Sequence, residues 1–159
     1  GADVPSQLRP VFALASGAGE QLEELRAPAS FGIVLIPFER GLSAGEVYAE
    51  ADRLGLERTD AELREIEGRL REAAATGAAP LSYPELLVND LEAAAIALRP
   101  EIADALRALR EVGAQAAFMT GSGPTAVGLF EDIVAADRAS GELGPEWADA
   151  IVTAPAPAP

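Results

Sequence analysis

The chain has 159 residues, 49% of them hydrophobic, so it can form one domain of ordinary size around a sizeable core. It has no His, no Lys and no Cys, which excludes a Ser-His-Asp triad, a Cys/His zinc site, a Schiff-base lysine and a Walker-type lysine. A net charge of -14 and the absence of a long apolar run predict no nucleic-acid partner and no membrane partner, and the absence of Cys fits a cytoplasmic location.

The first part of the chain predicts strands separated by turns. Residues 11–15 form a short predicted strand, and the glycine-containing stretch 16–19 predicts a turn. Residues 21–26 predict a charged stretch that is either helical or extended. The continuous apolar run 31–36 ends at a proline, which is typical of a buried strand.

The middle of the chain predicts four helices. Two of them follow capping-box patterns. In such a pattern a Ser or Thr side chain accepts a hydrogen bond from a free backbone amide, and the side chain of a Glu three residues later accepts one from the backbone amide of that Ser or Thr. These patterns begin at Ser43 and Thr59. The predicted helices span residues 44–54, 61–75, 84–98 and 100–112.

The last part of the chain alternates strands, a glycine-rich loop and a helix. The predicted elements are a strand at 116–119, a loop at 120–125, a strand at 127–130, a helix at 131–138 and a final strand at 149–153. An Ala/Pro-rich tail follows them. This mixture predicts an α+β fold in which helices cover an antiparallel sheet.

Two short motifs are candidates for phosphate chemistry. Asp3 lies between small residues and a proline, where a carboxylate can act as a general base; a cap or a surface charge is the alternative. In Gly121-Ser122-Gly123, small residues let backbone amides approach an anion. A strand follows this loop, so it fits neither the P-loop nor the Rossmann pattern, and a simple flexible turn is the alternative.

Two further positions are candidates for binding. Tyr48 lies near a predicted helix start, where its ring can stack on a base; packing at the rim of the core is the alternative. The pair Asn89-Asp90 has metal-binding chemistry, but one such pair is weak evidence. We expect this pair to serve helix packing or a local polar contact, and we predict no metal cage.

Taken in order, these segments resemble the C-terminal half of GHMP-family small-molecule kinases over residues 1–130. Within that family they are most similar to the members that act on 4-diphosphocytidyl-2-C-methyl-D-erythritol in non-mevalonate isoprenoid biosynthesis. No single motif is unique, but the order of the five is specific. The segments are 1–5, 13–20, 42–48, 88–102 and 113–130.

The resemblance implies a reaction and a site. The γ-phosphoryl group of ATP, with Mg²⁺, is transferred to the substrate's 2-hydroxyl, and Asp3 falls on the family's catalytic aspartate. The loop Gly121, Ser122 and Gly123 falls near the phosphates. Tyr48 matches an aromatic position that stacks on the cytosine ring. Ala44 stands where a hydroxyl residue is common, and Ser43 is the expected replacement.

The resemblance also implies that the chain, which begins at Gly1, is a piece of a larger kinase. The family's N-terminal half contributes a lysine and a Ser-Ser phosphate loop, and this sequence has neither. We therefore expect residues 1–16 to be a remnant of the N-terminal domain, with an exposed apolar patch at Val11, Phe12 and Leu14. Residues 17–140 would form the C-terminal domain. Residues 141–159 would contain the tail and the final strand, and this strand would also be a remnant of the N-terminal domain. The 159 residues alone are predicted to be inactive without the missing N-terminal half.

Two other interpretations remain open from the sequence. The glycine loop also fits another GHMP kinase, of the homoserine or mevalonate type. The absence of an ATP-binding half also fits a non-catalytic α+β binding or assembly module.

Overall fold

The computed structural model describes residues 11–17, 19 and 21–155 of the chain. Asp3 and the end of the tail lie outside the described residues. Within the described residues, six strands and five α-helices follow one another with short 3₁₀ turns, which confirms the predicted α+β class. The strands are β1 Ala13–Ser16, β2 Gln21–Glu24, β3 Gly32–Ile36, β4 Ala116–Met119, β5 Ala126–Phe130 and β6 Ile151–Thr153. The helices are α1 Ala44–Leu54, α2 Asp60–Ala75, α3 Glu92–Leu98, α4 Glu101–Glu111 and α5 Ile133–Glu142.

The main sheet has four antiparallel strands in the order β4-β5-β3-β6. The final strand, β6, pairs along β3 in register, with Val34 opposite Val152. This strand therefore forms an edge of the main sheet. The division of the chain at residues 16 and 140 stays a prediction.

One face of the sheet carries the larger core. Helix α4 packs over β4 and β5, and α5 packs over β3 and β6. The apolar face of α4 recurs every three or four residues, at Ile102, Ala105, Leu106 and Leu109, and all four are buried. Burying the three larger side chains, Ile102, Leu106 and Leu109, stabilises the fold by about 1.5–3 kcal/mol each.

Close approach between β3 and α5 depends on Gly32. A Cβ at this position would lie only 2.1 Å from the backbone oxygen of Asp132, the residue that caps α5. The absent side chain therefore lets the helix start sit directly on the strand.

The opposite face of the sheet has a smaller core. Phe31, Val127 and Leu129 are buried there, beneath Leu81 and Leu87 from the irregular segment between α2 and α3. The central strand β5 is consequently buried on both faces, which explains its continuous apolar sequence.

Strands β1 and β2 form a separate antiparallel pair. Arg71 of α2 joins this pair to the helix, because its guanidinium contacts Glu23 at 2.7 Å and Glu67 at 2.9 Å. Phe12 is exposed, as expected for the predicted apolar patch, whereas Val11 and Leu14 are half-buried.

Three local predictions need correction. Ser43 precedes α1 but makes no side-chain capping bond, whereas the predicted capping box at Thr59 is present. The predicted helix 84–98 forms only from Glu92, because a 3₁₀ turn at Pro84–Leu86 is followed by Leu87, whose ψ of 70° is not helical. The last helix begins two residues later than predicted, since Asp132 caps it by accepting from the amide of Ala135.

Candidate functional site

The candidate site lies at one end of the main sheet. Ala126, the first residue of β5, is in register with Ile36, the last residue of β3, and with Met119, the last residue of β4. The glycine loop and the segment that follows β3 therefore leave the sheet side by side. The predicted loop between two strands is confirmed, and it closes an antiparallel hairpin.

The backbone of the glycine loop turns in a way that requires glycine. Thr120 donates its amide to the carbonyl of Thr125 at 3.0 Å, and Gly123 donates to the carbonyl of Thr120 at 3.2 Å. Gly121 and Gly123 have φ of +61° and +90°, which L side chains rarely adopt. Among the described residues, nothing accepts from the amides of Gly121 and Ser122. Two backbone donors are therefore available to an anion.

Sequence reasoning missed the residues that hold this loop in place. The Asn89 side-chain amide donates to the carbonyl of Met119 at 2.7 Å and to that of Gly121 at 2.8 Å. A Glu92 carboxylate oxygen accepts from the amide of Met119 at 2.8 Å. The expected local polar contact of Asn89 is present, because its Oδ1 accepts from the Leu91 amide, whereas the bonds to the loop join segments 30 residues apart in sequence. The signal was the motif at residues 88–92, which the resemblance had singled out without a role.

The start of α1 lies against the same loop. A Cβ built on Gly123 would lie 2.6 Å from the sulfur of Met119 and 3.6 Å from Cδ1 of Leu42. Leu42 immediately precedes Ser43, so the structure brings the predicted hydroxyl position next to the predicted phosphate loop. Asp3, the predicted base, lies outside the described residues.

The predicted aromatic residue is accessible. Tyr48 lies on α1 beside the fully buried Val47, and its side chain is 57% exposed. The alternative from the sequence, packing at the rim of the core, stays open, because a ring at the rim is also partly exposed. Ser43 is also exposed. Their roles in binding a substrate stay predictions.

The pKa shifts near the site come from surface ion pairs and helix caps. The pKa of Glu62 is lowered mainly because the Thr59 amide donates to its carboxylate. The pKa of Glu50 is lowered mainly by donation from Arg53. The Glu50–Arg53 ion pair and the cap at Thr59 stabilise the helices that contain them. The glycine loop itself contains no titratable side chain.

An open cleft lies at the same end of the sheet. It has a volume of ≈ 540 Å³, and three distant segments line it, which is why sequence patterns did not indicate it. Inside it, Trp147 meets Phe38 edge-on with ring centroids 6.0 Å apart, and the Arg99 guanidinium lies 5.8 Å from the Phe38 centroid. Arg99 also donates to the backbone carbonyl of Arg40.

Two features are absent from residues 11–17, 19 and 21–155. No group of three or more His, Cys, Asp or Glu side chains is arranged to hold a metal ion. No helix in this part of the chain has the length and apolarity needed to cross a membrane.

The fold and the hairpin loop match a known family. Residues 68–149 match the model for the C-terminal domain of GHMP kinases, so the chain belongs to that family. Its relatives include proteins named 4-diphosphocytidyl-2-C-methyl-D-erythritol kinase. The one from Thermobifida fusca is 42% identical over 147 residues, covering 89% of this chain and 47% of the relative. The one from Nocardia farcinica is 39% identical over 160 residues, covering 100% of this chain and 52% of the relative. The chain thus spans about half the length of these relatives.

Solved structures agree with this assignment. A crystal structure of 4-(cytidine 5'-diphospho)-2C-methyl-D-erythritol kinase superposes with a TM-score of 0.73 at 30% identity, covering 97% of this chain and 53% of the other. The crystal structure of homoserine kinase from Cytophaga hutchinsonii gives a TM-score of 0.71 at 17% identity, covering 96% of this chain and 50% of the other. The second similarity shows the fold alone.

Proposed function

We propose that this chain is the C-terminal half of a kinase that transfers the γ-phosphoryl group of ATP to the 2-hydroxyl of 4-diphosphocytidyl-2-C-methyl-D-erythritol. The observation that carries the proposal is the glycine loop. Its amides at Gly121 and Ser122 have no acceptor among the described residues, and it adjoins the start of the helix that bears Tyr48. Relatives at about 40% identity that bear the name of this kinase support the choice of substrate.

The glycine loop fits the phosphate groups of ATP. Two neighbouring backbone donors in a turn form the kind of concave site that binds phosphate oxygens. No side chain at residues 121 or 123 blocks close approach, and the loop is anchored to α3. ATP with Mg²⁺ would supply the transferable phosphoryl group and neutralise part of its charge.

Asp3 is the proposed base. As the substrate's 2-hydroxyl oxygen forms a bond to the γ-phosphorus, the bond from that phosphorus to the β-γ bridging oxygen breaks and ADP leaves. The hydroxyl proton passes to the Asp3 carboxylate. The chain lacks Lys, so we infer that the N-terminal half contributes the cationic partner of this aspartate.

Tyr48 and Ser43 are the proposed substrate contacts. The exposed Tyr48 ring has an apolar face on which a cytosine can stack, and such stacking contributes about 1–3 kcal/mol per base in nucleic-acid sites. The exposed Ser43 hydroxyl, at the start of the same helix, can donate to or accept from the substrate.

The test is ADP release by a polypeptide that joins this chain to the N-terminal half. Mg-ATP and the diphosphocytidyl substrate are supplied to the parent protein, to Asp3→Asn, and to Asp137→Asn as a matched surface control on α5. We expect turnover that collapses only in Asp3→Asn, and no ADP release above background from the 159 residues alone.

Each other result has a defined meaning. Turnover with homoserine or mevalonate, but not with the diphosphocytidyl substrate, would favour another GHMP kinase. A folded protein that releases no ADP with any of the three would favour a binding module.

A further inference from the structure

We propose that Asn89 and Glu92 are positioning residues that aim the glycine loop at the phosphate groups. This inference rests on the proposed function, because it assigns the loop the phosphate-binding task described above. It adds two residues, on a segment 30 positions away in sequence, that set the direction of the loop's amides.

The argument begins with the peptide plane between Gly121 and Ser122. In a trans peptide the C=O and the N–H point in opposite directions. Asn89 donates to the Gly121 carbonyl at 2.8 Å, so that carbonyl faces the start of α3. The Ser122 amide therefore faces the opposite way, and no acceptor among the described residues competes for it.

Asn89 is itself fixed in orientation. Its side-chain oxygen accepts from the Leu91 amide at 3.0 Å, which leaves its NH₂ group directed at the carbonyls of Met119 and Gly121. Only a side chain with both an acceptor and a two-proton donor can make these three bonds at once. An aspartate keeps the first bond and loses the other two.

Glu92 completes the clamp from the same helix start. Its carboxylate accepts from the Met119 amide, while Asn89 donates to the Met119 carbonyl. Both backbone polar groups of this fully buried residue at the end of β4 are therefore held by residues 89–92, the segment that leads into α3. The hairpin cannot tilt away from the helix without breaking these bonds.

The experiment uses the polypeptide that includes the N-terminal half and compares Asn89→Asp with Asp90→Asn. Asp90 is a matched neighbour because it pairs with Arg58 at 2.6 Å and makes no bond to the loop. We expect Asn89→Asp to lower kcat/KM for ATP by roughly 10- to 100-fold, since misplacement of a phosphate cradle by about 1 Å has effects of that size. KM for the diphosphocytidyl substrate should change by less than about twofold, because its proposed contacts, Tyr48 and Ser43, make no bond to Asn89.

A second pair of variants tests the other half of the clamp. Glu92→Ala removes the acceptor for the Met119 amide, and Glu92→Gln retains one. We expect Glu92→Ala to lower kcat/KM for ATP and Glu92→Gln to restore most of it. This pair keeps the proposal testable if Asn89→Asp does not fold.

A readout independent of turnover is the NMR resonance of the Ser122 amide. It should shift and exchange faster in Asn89→Asp and stay unchanged in Asp90→Asn. If the parent protein shows no turnover but this resonance responds, the proposed function fails and the positioning role stands. Parent-like ATP kinetics together with an unmoved Ser122 resonance in Asn89→Asp would overturn the positioning role.

Discussion

Replacing Gly123 by Ala tests how tightly the glycine loop is packed against the core. Two effects act at this position. Its φ of +90° is unfavourable for any L residue, and the new Cβ would lie 2.6 Å from the sulfur of Met119, which is fully buried. Gly113 offers a matched control, because its φ is +94° and no atom lies within 4 Å of its Cβ position.

The magnitude follows from separating the two effects. A left-handed conformation costs an alanine about 1–2 kcal/mol, and both substitutions incur it. At Gly123 the Met119 sulfur must also move by about 1 Å in a filled core, and overpacking of this kind adds roughly 1–3 kcal/mol. We therefore expect Gly123→Ala to lower the free energy of unfolding by about 2–5 kcal/mol, and Gly113→Ala by about 1–2 kcal/mol.

The assay is urea unfolding followed by the fluorescence of Trp147, the single tryptophan of the chain. A double-mutant cycle with Met119→Ala checks the cause, since removing the sulfur should relieve the overlap. The double variant should be more stable than the sum of the single changes predicts, by about 1 kcal/mol or more. Equal losses for Gly123→Ala and Gly113→Ala would refute the steric part of the reasoning.

Three further predictions concern the scaffold. Thr59→Ala should lower the free energy of unfolding by about 1 kcal/mol because it removes a capping box. Ser43→Ala removes no capping bond and should change the free energy of unfolding by less than about 0.5 kcal/mol. Urea unfolding of both variants tests the contrast. Gly32→Ala should lower the melting temperature more than Gly→Ala at any other glycine from Gly41 to Gly144, since its Cβ would meet a backbone oxygen at 2.1 Å; an unchanged melting temperature contradicts this. Donation from Arg71 lowers the pKa of Glu23 below its ordinary 4.5, so this contact stabilises the fold above that pH and is lost as the pH falls through the lowered value. The stability difference between the parent and Arg71→Ala should therefore shrink on acidification, and a constant difference would count against the ion pair.

Much of the fold could be predicted because its signals are local. The apolar run ending at Pro37 and the capping pattern at Thr59 each depend on a few adjacent residues, and both elements formed as expected. The pattern at Ser43 resembled the one at Thr59, yet its side chain makes no cap bond. Residue spacing predicts that a cap is possible, but the rotamer that makes it depends on neighbours that the sequence does not reveal.

The site was harder to predict because its geometry depends on contacts between distant segments. The glycine loop and its likeness to a phosphate site were visible in the sequence, but the direction of its amides was not. That direction depends on Asn89. This residue reaches the loop only because α3 begins at Glu92, whereas the sequence predicted a start eight residues earlier. A helix continuing through residue 89 would have put its backbone in helical bonds and turned its side chain away from the hairpin. The error in the helix boundary and the missed clamp therefore have one cause, since the non-helical backbone at Leu87 both delays the helix and frees the asparagine to hold the loop.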